Sequence, residues 1–406
     1  MKKQINKQEV YDYLTGIPKG KVVTYGQIAT YLGNKNLART VGNVLHENPD
    51  GEKYPCYKVV NAKGMLAVNY AFGGLESQKK KLEADGIFVD GNRVNLDLFQ
   101  WHSMNGDVIF ELFETHLQRI PQNVQRCAVG IANQVYIVEC GNEKYIFRCS
   151  EEQNAYVDTI HWLTKLAVLD IPIPKVLFHG TYGTYSYLGL NYIEGEDIGL
   201  VYEKLTKAEK QRIAKDVMEI QRKVSSLQIK HDKDAWCWNA VVNELLDRAE
   251  LRITQNGYFD AAKVTRLKES IYLLEKYFSN IKPVPYLDDI STKNLLIHEG
   301  RVSGVIDIDW MGEGDNLTFI AMTYIALRNM DCETDYVDYL LAERGCNDLE
   351  RKAFLFYSLM YCVDFMGERG MQFGDKKIEV NEQVIHRLNQ IYDDLWEEFT
   401  NESSSI

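Results

Sequence analysis

Three polar residues in one short stretch have the types and spacing that phosphoryl transfer requires. Asp289 precedes the pattern "NLLIHEGRVSGVIDID", Asn294 is its first residue, and Asp307 lies near its end. The reaction needs a carboxylate that orients an acceptor hydroxyl, and an amide with a second carboxylate that hold Mg²⁺, because its catalysis is mostly positioning and charge neutralisation. Lone Asp and Asn residues in turns are usually caps, so the spacing rather than the residue types favours a site.

The same pattern predicts a β-hairpin that would gather these residues. Its two apolar strings surround the turn residues "EG" at 299–300. In such a hairpin His298 faces Arg301, and an unbroken register places Thr292 opposite Asp307. We therefore expect the three polar side chains to meet at one end of the hairpin.

Cys56 is a second residue with reactive chemistry, in the stretch "KYPCYKVVNAKG". The eight cysteines of the chain show neither a CxxC pair nor the spacing of zinc ligands, so the sequence predicts no disulfide framework and no zinc site. Reduced thiols are typical of a cytoplasmic protein. Cys56 is either a nucleophile or a small buried hydrophobe, and nucleophilic attack would need its thiolate form.

Length and charge divide the chain. Its 406 residues are 45% apolar and exceed the roughly 250 to 300 residues at which single cores stop growing. Residues 1–101 contain 14 Lys and Arg against 10 Asp and Glu, a net charge of +4, which leaves −16 for the remainder of a chain whose net charge is −12. A basic segment tolerates DNA, whereas an acidic one repels DNA and attracts cations. We place a domain boundary near residue 104, in the polar link after "FVDGNRVNLDLFQW".

Hydropathy predicts a protein without a membrane partner. The N-terminal stretch "MKKQINKQEVYDYL" has no apolar signal region. No later run approaches the roughly 18 to 20 apolar residues of a membrane span. We therefore expect a cytoplasmic location.

The elements of the second domain, 105–406, predict two lobes. From residue 123 a strand pattern, a helix pattern and a second strand pattern describe a small antiparallel sheet with one helix, in 105–198. The periods in 199–406 are mostly helical, interrupted by the hairpin. The predicted fold class is therefore α+β and multidomain.

This second domain resembles the aminoglycoside phosphotransferase and choline kinase-like family, which has a bilobal fold like that of protein kinases. The family's catalytic string stands here as Leu287, Asp288 and Asp289, then four residues, then Asn294, followed by a strand that ends in Asp307. The resemblance implies that Asp289 is the catalytic base and that Asn294 and Asp307 bind Mg²⁺. It also implies a small-molecule alcohol as phosphate acceptor in the C-terminal lobe.

The resemblance also assigns the nucleotide site, for ATP or GTP. The loop "VGIANQVYIV", with Gly130 and Asn133, resembles the turn that covers the nucleotide. Arg148 stands where a phosphate-binding Lys or Arg is expected. The stretch "NYIEGEDIG", with Asn191 and Ile193, resembles the link between lobes whose backbone holds the base.

This chain departs from the family at two positions of the catalytic string, and the sequence leaves one contact of the nucleotide site unassigned. Leu287 replaces the histidine that braces the catalytic loop, and Asp288 replaces a glycine. The helix partner of Arg148 is open between Glu152 and Asp158. The first departure leaves a non-catalytic, degenerate kinase fold as an alternative.

The first domain, 1–104, contains a helix-turn-helix candidate in "TYGQIATYLGNKNLARTVGNVLHENP". One helix is predicted from Thr24 to Leu32, and a second from Asn36 to about Glu47, ending before Pro49. Helix pairs joined by a glycine turn are common in plain packing, so this signal needs support from its neighbours.

Four stretches supply that support: "GIPKGKVVTYGQIA", "ARTVGNVLHENP", "YPCYKVVNAKG" and "NYAFGGLESQKKKLEADG". They resemble the DNA-binding, active-site domain of O6-alkylguanine-DNA alkyltransferases and alkyltransferase-like proteins. The resemblance implies duplex DNA containing O6-alkylguanine as partner and Cys56 as alkyl acceptor. Arg39 would fill the gap left by a flipped base, Tyr25 would press on the neighbouring phosphate, and Asn61 would brace the active-site turn.

Two departures weaken the alkyl-transfer chemistry. Tyr57 replaces the family histidine that lowers the thiol pKa, and Asp85 stands at the carboxylate position, one methylene shorter. A tyrosine, with a pKa of about 10, cannot act as a base near pH 7. A helix terminus or Lys58 could still activate the thiol. The chain is therefore interpreted as a fusion that recognises alkylated DNA and phosphorylates a small molecule, or as a damage-sensing binder on a degenerate kinase scaffold.

Overall fold

The structure, a computed structural model, describes residues 6–32, 34–101, 104, 106–127, 134–228, 236–373 and 376–401. The chain forms two compact units. The first comprises Met1–Ile109, Glu151–Gln153 and Gly180–Ser186. The second comprises Phe110–Ser150, Asn154–His179 and Tyr187–Ile406.

The first unit is mainly helical. Its helices are α1 (Lys7–Thr15), α2 (Tyr25–Tyr31), α3 (Ala38–His46), α4 (Gly74–Ala84) and α5 (Leu96–Phe99), and its short strands are β1 (Val23–Thr24), β2 (Val59–Val60), β3 (Val89–Asp90) and β4 (Arg93–Val94). β1 pairs with β2 in parallel, and β3 pairs with β4 antiparallel. Helix α6 (Gly106–Leu117) follows this part of the chain.

The helix-turn-helix prediction is confirmed with shorter helices. Thr24 caps α2 through a capping box with Gln27, in which each side chain accepts from the other residue's backbone N–H. A 3₁₀ turn at Lys35–Leu37 delays the start of α3 until Ala38, two residues later than predicted. Residues such as Ile28 on α2 and Val41 on α3 are fully buried in one apolar cluster, so packing fixes the pair.

Residues 105–198 contain the small sheet and helix that the sequence predicted. Strands β5 (Asn123–Arg126), β6 (Gln134–Cys140), β7 (Glu143–Ser150), β8 (Val176–Tyr182) and β9 (Tyr185–Asn191) form a sheet in the order β5-β6-β7-β9-β8, and helix α7 spans Val157–Leu166. β6 and β7 are antiparallel, with Val135 opposite Arg148. The inner half of β7 is buried, which places Arg148 inside the lobe.

The C-terminal lobe is mostly helical, as predicted. It contains β10 (Glu196–Asp197), α8 (Ile198–Val201), α9 (Lys207–Ser225), α10 (Trp238–Asn256), α11 (Ala262–Glu269), α12 (Glu275–Phe278), β11 (Pro285–Tyr286), β12 (Leu295–His298), β13 (Arg301–Val305), β14 (Gly312–Glu313), α13 (Leu317–Asn329), α14 (Asp335–Arg344), α15 (Asp348–Glu368), β15 (Gln372–Phe373), β16 (Lys376–Lys377) and α16 (Glu382–Asn401). Its core holds large aromatic side chains such as Phe319, Tyr357 and Tyr392. Among the described helices, none has the length and apolarity needed to cross a membrane.

The predicted hairpin exists, but its register is shifted near the site. β12 and β13 pair antiparallel, and His298 lies opposite Arg301 as predicted. An irregularity between Leu296 and Ile297 then moves the pairing by one residue, so that Leu295 lies opposite Val305. The predicted pairing of Thr292 with Asp307 is therefore wrong, because both residues lie beyond the ends of the paired strands.

Candidate active sites

The structure brings Asp289, Asn294 and Asp307 together at the end of the β12–β13 hairpin. The side-chain nitrogen Nδ2 of Asn294 donates to the backbone oxygen and to Oδ2 of Asp289, at 3.0 Å in each case. The backbone oxygen of Asn294 accepts from the N–H of Ile306 at 2.9 Å, next to Asp307. Since Nδ2 is occupied, the amide oxygen of Asn294 remains as a ligand atom.

Two of these residues have unusual backbone conformations. Asn294 has φ 64° and Asp307 has φ 59°, both in the left-handed region. Asn and Asp tolerate this region better than other non-glycine residues, and such conformations persist where surrounding structure fixes them. The backbone thus aims both candidate metal ligands before any ligand binds.

The carboxylates of the site repel one another. Desolvation, then the charge of Asp307, raises the pKa of Asp289 above its ordinary value. Desolvation also raises the pKa of Asp307, although Arg148 opposes the shift. Burial raises the pKa of Asp288 to about 6. A cation would relieve this repulsion, and an amide oxygen beside a carboxylate is a donor set that suits Mg²⁺.

Two residues that sequence reasoning missed lie against the loop of residues 287–294. Gln221, fully buried on α9, donates to the backbone oxygen of Leu287 at 2.7 Å and accepts from its N–H at 3.0 Å. Desolvation raises the pKa of Asp197, and the nearby backbone N–H of Asn294 offsets part of that rise. Gln221 thus fixes the loop at the position where the family histidine is absent.

Arg148 lies beside the candidate metal ligands, on β7. Its Nη2 lies 3.2 Å from Oδ1 of Asp307 and 3.0 Å from Oδ2 of Asp309, and its Nη1 lies 3.4 Å from Oδ1 of Asp309. The acidic partners that the structure shows for Arg148 therefore follow β13, whereas the sequence left its partner open between Glu152 and Asp158, near α7. Asp309 was not among the sequence candidates.

The link between the lobes packs on the hairpin. Asn191 accepts from the backbone N–H of Lys175 at 2.5 Å through Oδ1. A Cβ added to Gly304 on β13 would lie 2.7 Å from Cγ2 of Ile193, so the glycine permits this close approach. Gly130 and Asn133, the predicted nucleotide-covering residues, lie outside the described residues.

In the first unit, Cys56 is buried at the start of the 3₁₀ turn Cys56–Lys58, with 4% of its surface exposed. Asn48 donates from Nδ2 to the sulfur at 3.0 Å and to the backbone oxygen of Tyr54 at 2.8 Å. Burial raises the pKa of the Cys56 thiol, and the hydrogen bond from Asn48 offsets only part of that rise. The thiol form therefore dominates at neutral pH.

The predicted bracing residue Asn61 holds a different turn. Its Oδ1 accepts from the backbone N–H groups of Lys63 at 2.8 Å and Met65 at 3.0 Å, on the surface. The asparagine that contacts the turn of Cys56 is Asn48, eight positions before the cysteine. Asn48 lies in the stretch "ARTVGNVLHENP", to which the sequence analysis assigned the end of a helix and a family resemblance but no role for this residue.

Gln78 supplies a second brace for the turn. It is fully buried on α4, donates from Nε2 to the backbone oxygens of Tyr57 and Val59 at 3.0 Å each, and accepts from the N–H of Ala67 at 2.7 Å. Nothing in its sequence neighbourhood distinguishes it from other polar helix residues.

Asp85 is paired with Lys58 rather than with an activating base. Nζ of Lys58 lies 3.1 Å from Oδ2 of Asp85, and both side chains are nearly buried. The backbone N–H of Gly20 also donates to this oxygen, at 3.2 Å. Desolvation, then the charge of Asp85, raises the pKa of Tyr57. Because Lys58 forms its ion pair with Asp85, its charge is balanced there and does not activate Cys56.

Arg39 and Tyr25 lie on the helix pair. Arg39 is exposed in the first turn of α3, and Tyr25 begins α2. A Cβ added to Gly42 on α3 would lie 3.8 Å from the Tyr25 ring, so the ring packs against α3. Helix α3 thus carries the exposed guanidinium of Arg39, and the Tyr25 ring packs against the same helix.

Comparison with known protein families divides the chain in the same order. Residues 6–87 match the family described as "6-O-methylguanine DNA methyltransferase, DNA binding domain", and residues 123–355 match the "Phosphotransferase enzyme family".

Curated relatives match the first part of the chain. A bifunctional methyltransferase/endonuclease of Picrophilus torridus is 32% identical over 111 residues, which are 27% of this chain and 37% of that protein, so the chain spans little more than a third of its length. A DNA base-flipping protein of Vibrio parahaemolyticus is 38% identical over 94 residues, 23% of this chain and 92% of that protein. Alkyltransferase-like protein 1 of Schizosaccharomyces pombe is 34% identical over 99 residues, 23% of this chain and 91% of that protein.

Several solved structures with the fold of the second part are aminoglycoside phosphotransferases. A thermostable variant of aminoglycoside phosphotransferase APH(4)-Ia, in its apo form, matches with a TM-score of 0.51 and 14% identity, over 73% of this chain and 98% of that chain. A related variant, in a ternary complex with ADP and hygromycin B, matches with a TM-score of 0.50 and 15% identity, over 70% and 97%. The GDP complex of an aminoglycoside 2'-phosphotransferase matches with a TM-score of 0.51 and 16% identity, over 74% and 98%. At these identities the likeness shows the fold.

Proposed function

Because the chain belongs to the phosphotransferase enzyme family through residues 123–355 and to the 6-O-methylguanine DNA methyltransferase DNA-binding domain family through residues 6–87, we propose that its second domain, 105–406, transfers a phosphoryl group from ATP to a hydroxyl of a small molecule. The observation that carries this proposal is the hydrogen bond of Asn294 to Asp289 with Asp307 beside them. GTP is the alternative donor, since one structure of this fold binds GDP.

Each residue has a proposed role. Asp289 accepts the proton of the acceptor hydroxyl and orients it. The amide oxygen of Asn294 and the carboxylate of Asp307 hold Mg²⁺, which would neutralise phosphate charge when bound. Arg148 contacts a phosphate, and the link with Asn191 and Ile193 receives the base.

The acceptor is proposed to be cationic or polyhydroxylated. Residues 102–406 have a net charge of −16, and a cleft with an acidic surround attracts cations. One structure of this fold holds ADP and hygromycin B together.

Magnesium-dependent nucleotide binding tests the proposal. Titration calorimetry should show ATP binding that requires Mg²⁺, and Asp307→Ala should weaken it at least about tenfold, because one ligand of the ion is removed. Asp338→Ala, which removes an exposed carboxylate on α14, should leave binding unchanged. Wild-type protein that binds no Mg-ATP would favour the alternative, a damage-sensing binder on a non-catalytic scaffold.

We further propose that residues 1–104 bind duplex DNA and recognise O6-alkylguanine. The favouring observation is the exposed Arg39 on the second helix of the pair, in a segment with net charge +4. In this proposal Arg39 fills the space of a flipped base and Tyr25 presses on a phosphate. Asn61 would bind DNA from its surface turn, and alkyl transfer to Cys56 is slow.

Arg39→Ala should reduce the preference for O6-methylguanine DNA over unmodified DNA about tenfold, because a flipped base then leaves an unfilled gap in the stack. Fluorescence anisotropy with matched duplexes measures the two affinities. Lys80→Ala, an exposed cation on α4, should weaken both affinities equally and reduce the salt dependence slightly. Equal affinity of the wild type for both duplexes would exclude damage recognition.

A further inference from the structure

The geometry points to Asp309 as the residue that positions Arg148 for the nucleotide phosphates, in place of an acidic residue on α7. This inference rests on the proposed phosphotransferase function and names a positioning residue for it. Nothing in the catalytic string identifies Asp309, because that string ends at Asp307.

Asp309 contacts Arg148 at two points and is itself held by a hydrogen bond from Thr159. Both carboxylate oxygens of Asp309 face the guanidinium, at 3.0 and 3.4 Å. Oδ1 of Asp309 also accepts from Oγ1 of Thr159, on α7, at 2.5 Å. A two-point contact between planar groups restricts the guanidinium in angle as well as in distance. Thr159 restricts the carboxylate in turn, so the pair is held from two elements.

The start of helix α7 presents an aromatic ring to Arg148, and the helix presents a hydroxyl to Asp309. The guanidinium carbon lies 5.3 Å from the ring centroid of Tyr156, at the start of the helix. Thr159, one turn later, contacts Asp309. Asp158 is exposed on the same helix. A buried arginine needs a counter-charge, and among the described contacts Asp307 and Asp309 supply it.

Arg148 contacts two carboxylates, and this affects Asp307, the proposed metal ligand. Nη2 lies 3.0 Å from Asp309 and 3.2 Å from Asp307. Without the charge of Asp309, Arg148 would rely on Asp307, and that ion pair would compete with a cation for the same oxygen atoms. Asp309 therefore both aims Arg148 and keeps Asp307 available.

Calorimetry on the full chain tests this assignment. Asp309→Asn should weaken Mg-ATP binding about tenfold, because a charge-assisted two-point contact is lost. It should leave adenosine binding unchanged, because adenosine has no phosphate. Asp158→Asn, the matched exposed control on α7, should change neither.

A second measurement does not need the nucleotide. In urea unfolding, Asp309→Asn should destabilise the wild type more than it destabilises an Arg148→Gln background, because the two side chains interact. If the wild type binds Mg-ATP and Asp309→Asn binds it with the same affinity, the inference about Asp309 is overturned while the proposed function stands. A loss of Mg-ATP affinity in Asp158→Asn would have the same consequence. Absence of wild-type binding would overturn the proposed function, and additive unfolding energies would then overturn the Asp309–Arg148 coupling as well.

Discussion

Asp289→Asn should lower phosphoryl turnover at least about a hundredfold and leave the dissociation constant of Mg-ATP within about threefold, because a positioned base acts on the acceptor hydroxyl and not on the nucleotide. Asparagine keeps the shape of the side chain and an oxygen for the bond from Asn294, so the loop should fold unchanged. Coupled detection of ADP release, with calorimetry for binding, measures the two effects separately.

The neighbouring Asp288 is the matched control for that variant. Its carboxyl group is more buried, and its pKa is raised to about 6. Asp288→Asn should therefore change turnover far less than Asp289→Asn. Turnover should also fall in acid, because the base must be ionised and the raised pKa of Asp289 moves this loss to higher pH than for an ordinary aspartate. Full turnover in Asp289→Asn, or equal losses in both variants, would contradict the assignment of the base.

Alkyl transfer from O6-methylguanine DNA to Cys56 should be slow at pH 7 and should become faster as the pH rises toward 9, by up to about tenfold per pH unit. The sign follows from the structure. Burial raises the pKa of the Cys56 thiol, only the thiolate attacks, and its fraction grows tenfold per unit below the pKa. Lys58 does not alter this, because Asp85 holds it.

Intact mass spectrometry of protein incubated with methylated duplex measures the transfer as a gain of one methyl group. Cys56→Ala should abolish the gain at every pH and retain DNA binding. Prompt, stoichiometric methylation at pH 7, or a rate independent of pH, would contradict the structural account of a protonated thiol and make the first domain a true repair enzyme.

The sequence predicted those features that depend on neighbours in the chain. Asp289 and Asn294 are five residues apart, and a hairpin turn brings Asp307 back to them, so local patterns suffice. Asp309 contacts Arg148 across 161 residues and Gln221 contacts Leu287 across 66. Such contacts are set by how the lobes fold, and no local pattern marks them.

The two misplaced details have similar causes. The shift between Leu296 and Ile297 changes the hairpin register by one residue, and an inserted irregularity of this kind leaves no mark in the alternation of apolar residues. Asn48 and Asn61 both lie close to Cys56 in sequence, and only the path of the chain determines that Asn48 reaches the sulfur.

The left-handed backbone of Asn294 and Asp307 sets a limit on engineering this protein for heat resistance. A designer who ranks positions by backbone statistics would replace both with glycine, since each non-glycine residue there costs on the order of 1 kcal/mol or more. Both replacements would remove the side chains on which the proposed chemistry depends. Thermostable versions should therefore be sought at other positions, with these two excluded from any consensus or library at the outset.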